Sequence, residues 1–413
     1  VDFFAKKVYT MQDMKKKISR KTVAHVASKP TKGKVLMALS GGIDSAVSAY
    51  LLLEQGYEVE AAFMKNWSST QGLLKNECPW LVDRQDALRV AAFLKIPLHT
   101  LDFEQQYADT VMKYFFDEYQ AGRTPNPDVM CNKEIKFKLL YQWAMDHGFD
   151  YLATGHYAQV GKRRKKKVES KDKAFHLSPF TFHLTRSADE FKDQTYFIYN
   201  IKTEQLPHLL FPIGGMKKAS VKKLAAKIGL PNKDKKESMG LCFVGKIRLK
   251  DFLEQKLKPR TGSIVDQDGV VVGEHQGLYN FTLGQRQGIH VGGSGPYYVF
   301  KKDLRSNTLF VTNNAQDKRL ETISLQLHSV NWIEKSMSRA EYEDVSKSKV
   351  SKVRQKKLFG RYRHQGALIP LTVKQVEPGL CEVIFSRPQK AVTSGQSLVI
   401  YEGNVCVGGG VIV

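Results

Sequence analysis

Cysteine is scarce in this chain of 413 residues. There are five: Cys78, Cys131, Cys242, Cys381 and Cys406. The count is odd and no two form a CxxC pair, which argues against a disulfide framework and against a zinc or iron–sulfur site. Long hydrophobic runs are missing too. None approaches the roughly 18 residues of a membrane span, so no membrane partner is expected. Acidic residues are outnumbered, 41 Asp+Glu against 64 Lys+Arg, for a formal net charge of +23. A field of that sign suits polyanions, nucleic acid above all. A basic protein without such a partner is the plain alternative. One motif is absent where glycines invite it. Gly41 and Gly42 are not followed by Gly-Lys-Ser/Thr, so the loop is not of the Walker type.

What is present begins at Lys34. Lys34–Leu39 is an apolar run that predicts a buried strand. Ser40-Gly41-Gly42-Ile43-Asp44-Ser45 predicts a turn, and 46–55 carries helical apolar spacing at Val47, Tyr50, Leu51 and Leu53, with Gly56 placed to end it. Adjacent glycines let backbone amides approach an anion, two serines add hydroxyl donors, and the helix points its positive end at the same spot. That is a phosphate cradle. It resembles the PP-loop of the ATP pyrophosphatases, which split ATP into AMP and pyrophosphate.

The length leaves room for about two or three domains with ample core. Strands are predicted at Glu58–Met64, at Ile96–Leu101 (weakened by Pro97) and at Asp150–Thr154, with helices at Asp83–Leu94, Phe103–Gln120 and Lys133–His147. The alternation implies a doubly wound parallel sheet with its ligand at the carboxyl ends of the strands, where Ser40, Met64–Trp67 and Gly155-His156 all fall. The run Lys162–Lys167 reads as a basic loop, solvated or in contact with RNA phosphate, and Ala174–Leu184 as a hairpin. A short helix runs from Lys218 to Leu230. Beyond about 320, short strands at Ile323–Leu327, Gly360–Arg363, Ala367–Val373, Cys381–Phe385, Ser397–Tyr401 and Val405–Val413 suggest a small β-barrel, interrupted by a charged insertion, Ser336–Lys357. The expected layout is a basic arm at 1–33, a catalytic α/β domain at 34–230, a central domain at 231–312 and a C-terminal β-barrel at 313–413. The arm has two readings, a remnant of a mitochondrial transit peptide or a plain basic arm. Asp2, Asp13 and a single arginine, Arg20, count against the first.

Three further segments carry chemistry. In Gly122–Phe137 two prolines stiffen a loop, Asn132 is placed to cap a following helix, and Asp128 and Cys131 stand together beside a helix N-terminus, a setting that lowers a thiol pKa. In Lys235–Phe243 a second cysteine, Cys242, lies in a Gly-containing turn flanked by lysines. Lys192-Asp193-Gln194 opens an apolar segment. Cys78, Cys381 and Cys406 read as packing residues.

With these segments the chain resembles the tRNA-specific 2-thiouridylases from about Lys34 to Val413. The resemblance rests on the Ser40–Ser45 loop, Phe63–Trp67, Gly122–Phe137, Ala153–Tyr157, Lys192–Phe197, the Cys242 segment, Gly273–Gly288 and Thr393–Ser397. It departs at 162–192 and 336–357. It implies ATP-dependent 2-thiolation of the wobble uridine of tRNA, through adenylation of the uracil oxygen and sulfur transfer from a cysteine persulfide. ATP would bind at Ala38, Leu39, Ser40, Gly41, Gly42, Ile43, Asp44, Ser45, Met64 and Gly155, with Mg²⁺ expected alongside. Asn126, Pro127 and Asp128 would hold the uracil, and Asp128 would be the general acid/base. Cys242 would carry the persulfide and Cys131 would resolve it. His156, Lys192, Asp193, Gln194, Arg361, Tyr362 and Gln396 would contact tRNA. A persulfide donor protein is implied, in a bacterial cytoplasm or a mitochondrial matrix. The rival readings are another PP-loop enzyme of the amidotransferase type and a non-catalytic tRNA-binding protein.

Overall fold

The computed structural model describes residues 32–68, 79–164, 180–236, 249–254, 256–292, 295–333 and 357–413. Cys78, Cys242, nearly all of the basic arm and nearly all of the 336–357 insertion lie outside them.

The chain opens with β1 (Lys34–Ala38), α1 (Ile43–Glu54), β2 (Glu58–Lys65), α2 (Pro79–Leu94) and β3 (Leu98–Asp102). Two helical stretches follow, α3 (104–120) and α4 (127–146), each with a wider π-type section. After β4 (Tyr151–Ala153) comes a hairpin, β5 (Ala158–Arg164) with β6 (Phe180–Arg186). Next are the single turn α5 (Thr195–Ile198), the two-residue strand β7 (Leu209–Leu210), α6 (Lys218–Ile228) and α7 (Leu249–Glu254). Five strands form a parallel sheet in the order β3-β2-β1-β4-β7. The apolar run of β1 is dictated by burial on both faces. Val35 and Met37 pack toward α1, α2 and α6, while Leu36 and Ala38 face α4 and the segment around Phe211. Pro97 does no harm because it precedes β3, where its carbonyl accepts from the Ala61 amide at 2.8 Å.

A second sheet, in the order β10-β11-β8-β9, is built from β8 (Gly262–Val265), β9 (Val271–His275), β10 (Tyr298–Asp303) and β11 (Thr308–Thr312). The third is a barrel of β12 (Glu321–Trp332), β13 (Leu358–Arg361), β14 (Ile369–Glu377), β15 (Leu380–Lys390), β16 (Ser397–Glu402) and β17 (Val405–Ile412). Pairing of β12 with β17 closes it. The alternating burial of β14 turns Ile369, Leu371 and Val373 into the barrel core.

Two expectations shift. Lys162 and Arg163 belong to a strand, not a loop: β5 pairs with β6 from Ala158↔Arg186 to Arg164↔Phe180, so the hairpin starts earlier than Ala174. The hairpin then joins the barrel, because Leu184 and Thr185 of β6 pair with Cys406 and Val405 of β17. The start of β17, beyond the reach of β12, finds its partner in a strand some 220 residues away in sequence, a pairing invisible to local pattern.

Candidate active site

The turn after β1 is shaped by two glycines. Gly41 has φ +76°, and a Cβ there would come 2.3 Å from the Asp83 carbonyl oxygen. Gly155, just past β4, backs onto the same turn, and its Cβ would lie 2.8 Å from the Ser45 amide nitrogen. Ser45 Oγ accepts from the Ser40 amide at 3.2 Å and donates to the Gly42 carbonyl at 3.0 Å. Ser40 Oγ lies 3.2 Å from Ser45 Oγ. Ser40 is exposed and Gly42 is half-buried at the start of α1, so the cradle opens to solvent at a helix N-terminus. Ala38, Leu39 and Ile43 are buried beneath it. Met64 lies between the sheet and the cluster that surrounds Cys131.

Four further residues support this turn. Lys218 Nζ grips both oxygens of Asp44 at 2.8 Å, and the Tyr157 hydroxyl donates to Asp44 Oδ1 at 2.9 Å. Asn232 Nδ2 donates to the Gly41 carbonyl at 2.8 Å. Lys235 Nζ bridges Asp83 and Asp86 at 2.7 Å each. Tyr157 and Lys235 stand in quoted segments and Lys218 at the start of a predicted helix, but no pattern announces their part in this turn, and Asn232 carries no sequence signal. Asn232 and Lys235 also fix the origin of the segment that runs on to Cys242. That segment re-enters at α7, whose Phe252 stacks on Phe116 and packs in the cluster holding Cys131. The two described ends of the Cys242 segment are thus anchored on the cradle and on the Cys131 cluster.

The 122–131 loop corrects two expectations. The helix cap is Asn126, whose Oδ1 accepts from the Val129 amide at 3.2 Å, because Pro127 suits the first helical position and starts α4 at 127 where the pattern places the start at 133. Asn132 lies inside the helix and donates to the Phe197 carbonyl at 3.1 Å. Cys131 therefore gains nothing from a helix N-terminus. It is buried against Tyr107, Val111, Phe115 and Ile135, and desolvation pushes its thiol up to about 11, with Asp128 adding to the rise and Lys136 opposing it. Asp128 stays half-exposed in the first turn.

The residues expected to touch tRNA are mostly interior. His156 is buried beside Phe137 and Phe211, with Nδ1 2.7 Å from Thr154 Oγ1. Burial, aided by the Lys136 charge, holds its pKa well below the usual imidazole value. Asp193 and Arg361, 1% and 4% exposed, form an ion pair at 2.9 Å between the α/β domain and the barrel. The Asp193 carboxylate also accepts from the Thr195 hydroxyl and the Ser187 amide. Gln194 accepts from the Tyr157 amide at 2.9 Å, and buried Tyr362 donates to the Lys390 carbonyl at 3.2 Å. Gln396 donates to the carbonyls of Thr124 and Pro125 at 2.9 and 3.1 Å. Lys192 is half-buried, its amide on Asp189. The side chains of His156, Asp193, Gln194, Arg361, Tyr362 and Gln396 thus all bond within the protein. Cys381 and Cys406 are buried in β15 and β17, and burial raises both thiols, Cys381 to about 11.

Residues 33–246 match the model described as the tRNA methyl transferase HUP domain, 250–313 the tRNA methyl transferase PRC-barrel domain and 323–412 the aminomethyltransferase β-barrel domain. The chain is 40% identical over 384 residues to the tRNA-specific 2-thiouridylase MnmA of Lysinibacillus sphaericus, covering 93% of this chain and 95% of that protein. It is 41% identical over 388 residues to the same-named protein of Escherichia coli O1:K1, covering 92% and 97%. The chain belongs to the tRNA-specific 2-thiouridylase family. The domain descriptions speak of methyl and aminomethyl transfer, but the end-to-end alignments set the class, and this member is a tRNA sulfurtransferase. A solved 4-thiouridine synthetase–RNA complex with bound ATP is 17% identical, with a TM-score of 0.33 over 54% of this chain and 50% of that one, too partial to carry an argument. No helix among the described residues is long and apolar enough to cross a membrane.

Proposed function

We propose that this protein replaces the C2 oxygen of the wobble uridine of tRNA with sulfur, using ATP to activate the oxygen and a persulfide on Cys242 to deliver the sulfur. The supporting observation is the arrangement of anchors. The segment bearing Cys242 leaves from Asn232 and Lys235 at the phosphate cradle and returns through Phe252 to the cluster that holds Cys131.

In this reading the uracil oxygen attacks the α-phosphorus and pyrophosphate leaves into the Ser40–Ser45 amides. Mg²⁺ bound with the ATP would supply charge neutralisation to the leaving pyrophosphate. The base is unstacked from the anticodon loop to reach Asn126, Pro127 and Asp128, which costs least for a loop base. The terminal persulfide sulfur attacks C2 and AMP leaves with the original oxygen, while Asp128 exchanges the proton. The Cys131 thiolate then attacks Cys242 Sγ. The sulfur stays on the base and a Cys131–Cys242 disulfide forms, to be reduced by an external thiol. The protonated, buried state of Cys131 disfavours its attack on the loaded persulfide before the sulfur has bonded to C2. A persulfide donor protein supplies Cys242, and the cytoplasm of a bacterium is the setting this reading favours.

Mass spectrometry of tRNA after incubation with ATP and a persulfide donor tests the proposal. One oxygen should be exchanged for sulfur at the wobble uridine, with AMP and pyrophosphate as co-products, and Cys242→Ser should abolish the exchange. ADP as the main product, or full activity in Cys242→Ser, would overturn it.

A further inference from the structure

The basic run that begins at Lys162 stands on a ribbon, the hairpin of β5 and β6. Lys162 pairs with Phe182 and Arg163 with Thr181, so the two cations leave on opposite faces of the ribbon. Both are exposed. Lys162 Nζ lies 3.9 Å from the centre of the Phe180 ring and 5.9 Å from that of Phe182, which holds the ammonium in place ahead of any ligand. Arg163 leaves on the face of Thr181 and His183, whose side chains meet each other at 3.2 Å. Among the described residues no carboxylate pairs with either cation.

The ribbon has a rigid mount. Val160, Phe182 and Leu184 pack in the core that also holds Tyr199 and Tyr401. β6 pairs with β17, and the Arg186 amide donates to the Asn404 carbonyl at 2.9 Å. One foot, Ala158, follows Tyr157, whose hydroxyl donates to Asp44 in the cradle. The other foot, Arg186, precedes Ser187, whose amide donates to Asp193 Oδ1 at 3.2 Å. Four residues of strand carry Lys162 about 13 Å from Ala158, well within the span of a tRNA. β5 is also the last strand of its sheet. Lysine and arginine on an edge strand can serve only to keep other strands off. A charge with that task works best free in solvent. A cation already held over aromatic rings, in a chain of formal net charge +23, fits a polyanion better.

We propose that the β5–β6 hairpin is an added RNA-binding arm, on which Lys162 and Arg163 take backbone phosphates of the tRNA substrate to either side of the ribbon. The hairpin lies in the 162–192 stretch where the chain departs from the family pattern, so the contact is an addition of this chain. The inference rests on the tRNA substrate of the proposed function. A phosphate contact away from the reacting base binds the ground state and the transition state alike, so its loss falls on affinity and KM and leaves kcat.

The test uses the full-length protein carrying Lys162→Gln with Arg163→Gln. Titration with tRNA across a range of salt concentrations should show Kd raised about tenfold near physiological salt, and the slope of log K against log salt made shallower by about 1.4–1.8, the share of two phosphates. Thiolation kinetics should show KM for tRNA raised in step with kcat within about twofold of the parent. The exchange variant Lys162→Arg with Arg163→Lys keeps both charges and should bind like the parent. Lys223→Gln with Lys227→Gln, an equal loss of charge on the exposed side of α6, should move Kd less than about twofold. Several results would overturn the proposal. An unchanged Kd and slope, with self-association of the glutamine variant, would assign the charges to guarding the edge. An equal loss in the α6 variant would leave only overall charge, and an equal loss in the exchange variant would mean damage to the hairpin. A thiolation defect confined to sulfur delivered by a donor protein, with Kd for tRNA unchanged, would assign the ribbon to that protein. Weakened tRNA binding in a protein whose wild type shows no thiolation would sink the proposed chemistry and leave the arm standing.

Discussion

The phosphate cradle and the loop bearing Asn126 and Asp128 are both turns that open helices, yet they are held in opposite ways. The cradle is largely its own scaffold. Ser40, Gly42 and Ser45 satisfy one another across at most five residues, and the outer props Lys218 and Asn232 fall within the 33–246 stretch that matches the HUP-domain model. The base loop is held from outside. Its fixed points, Thr282 and Gln396, lie 158 and 272 residues from Thr124, in the central domain and the barrel. Local hydrogen bonds form whenever the strand and helix form. Contacts spread over three domains exist only when the domains are docked. Nucleotide binding should therefore outlast damage to the barrel interface, and base chemistry should not.

The largest effect is expected at that interface. Asp193→Ala leaves Arg361 buried without its partner, and breaking such a pair costs about 3–5 kcal/mol, read as a lowered melting temperature together with faster exchange at Thr124. An unmoved melting temperature would break the comparison at its root, because the residue would then be free to act as an RNA contact.

The thiol of Cys131 gives a pH-dependent check. Its folded pKa is raised from 9.0 to about 11. The folded state thus holds the proton more tightly than the unfolded one, and the stabilisation is complete below pH 9 and is lost as pH rises toward 11. Two units correspond to about 2–3 kcal/mol. Cys131→Ala should flatten the stability profile across that window, and alkylation of Cys131 should be slow at neutral pH and quicken toward pH 11. Fast alkylation at pH 7 would show that the thiol is not buried as described.

Gly155→Ala sharpens the comparison from the other side. The added carbon meets the Ser45 amide at 2.8 Å, an overpacking worth about 1–3 kcal/mol. Calorimetry should find ATP binding weakened while Thr124 exchange stays as in the parent. A parallel change at Thr124 would mean that the two turns are not independent.

The smallest effect belongs to the surface. Lys113 and Asp117 pair at 2.5 Å on α3 with both side chains more than half exposed. Lys113→Ala should cost no more than about 0.3–0.5 kcal/mol by denaturant titration and leave thiolation unchanged.

Much of the fold was legible because it is written locally. The continuous apolar run of β1, the paired glycines of the cradle and the alternating strands of the barrel each follow from a period or a backbone requirement within a few residues. The misreadings have physical causes as well. Asn132 lost the capping role because Pro127 starts the helix sooner, and Cys131 lost its expected acidity because α7 and α3 close over it. Lys162 reads as solvated loop because nothing nearby announces the sheet that β6 and β17 provide.

The sequence by itself determined the class of the parallel sheet, the non-Walker cradle, the barrel and the family, since these rest on short patterns and on motifs that stay together in the chain. Only the tertiary structure decided that Asp193 and Arg361 look inward. A charged side chain reads the same whether it faces solvent, RNA or a buried partner. What separates these fates is desolvation, and desolvation is set by elements packed from hundreds of residues away.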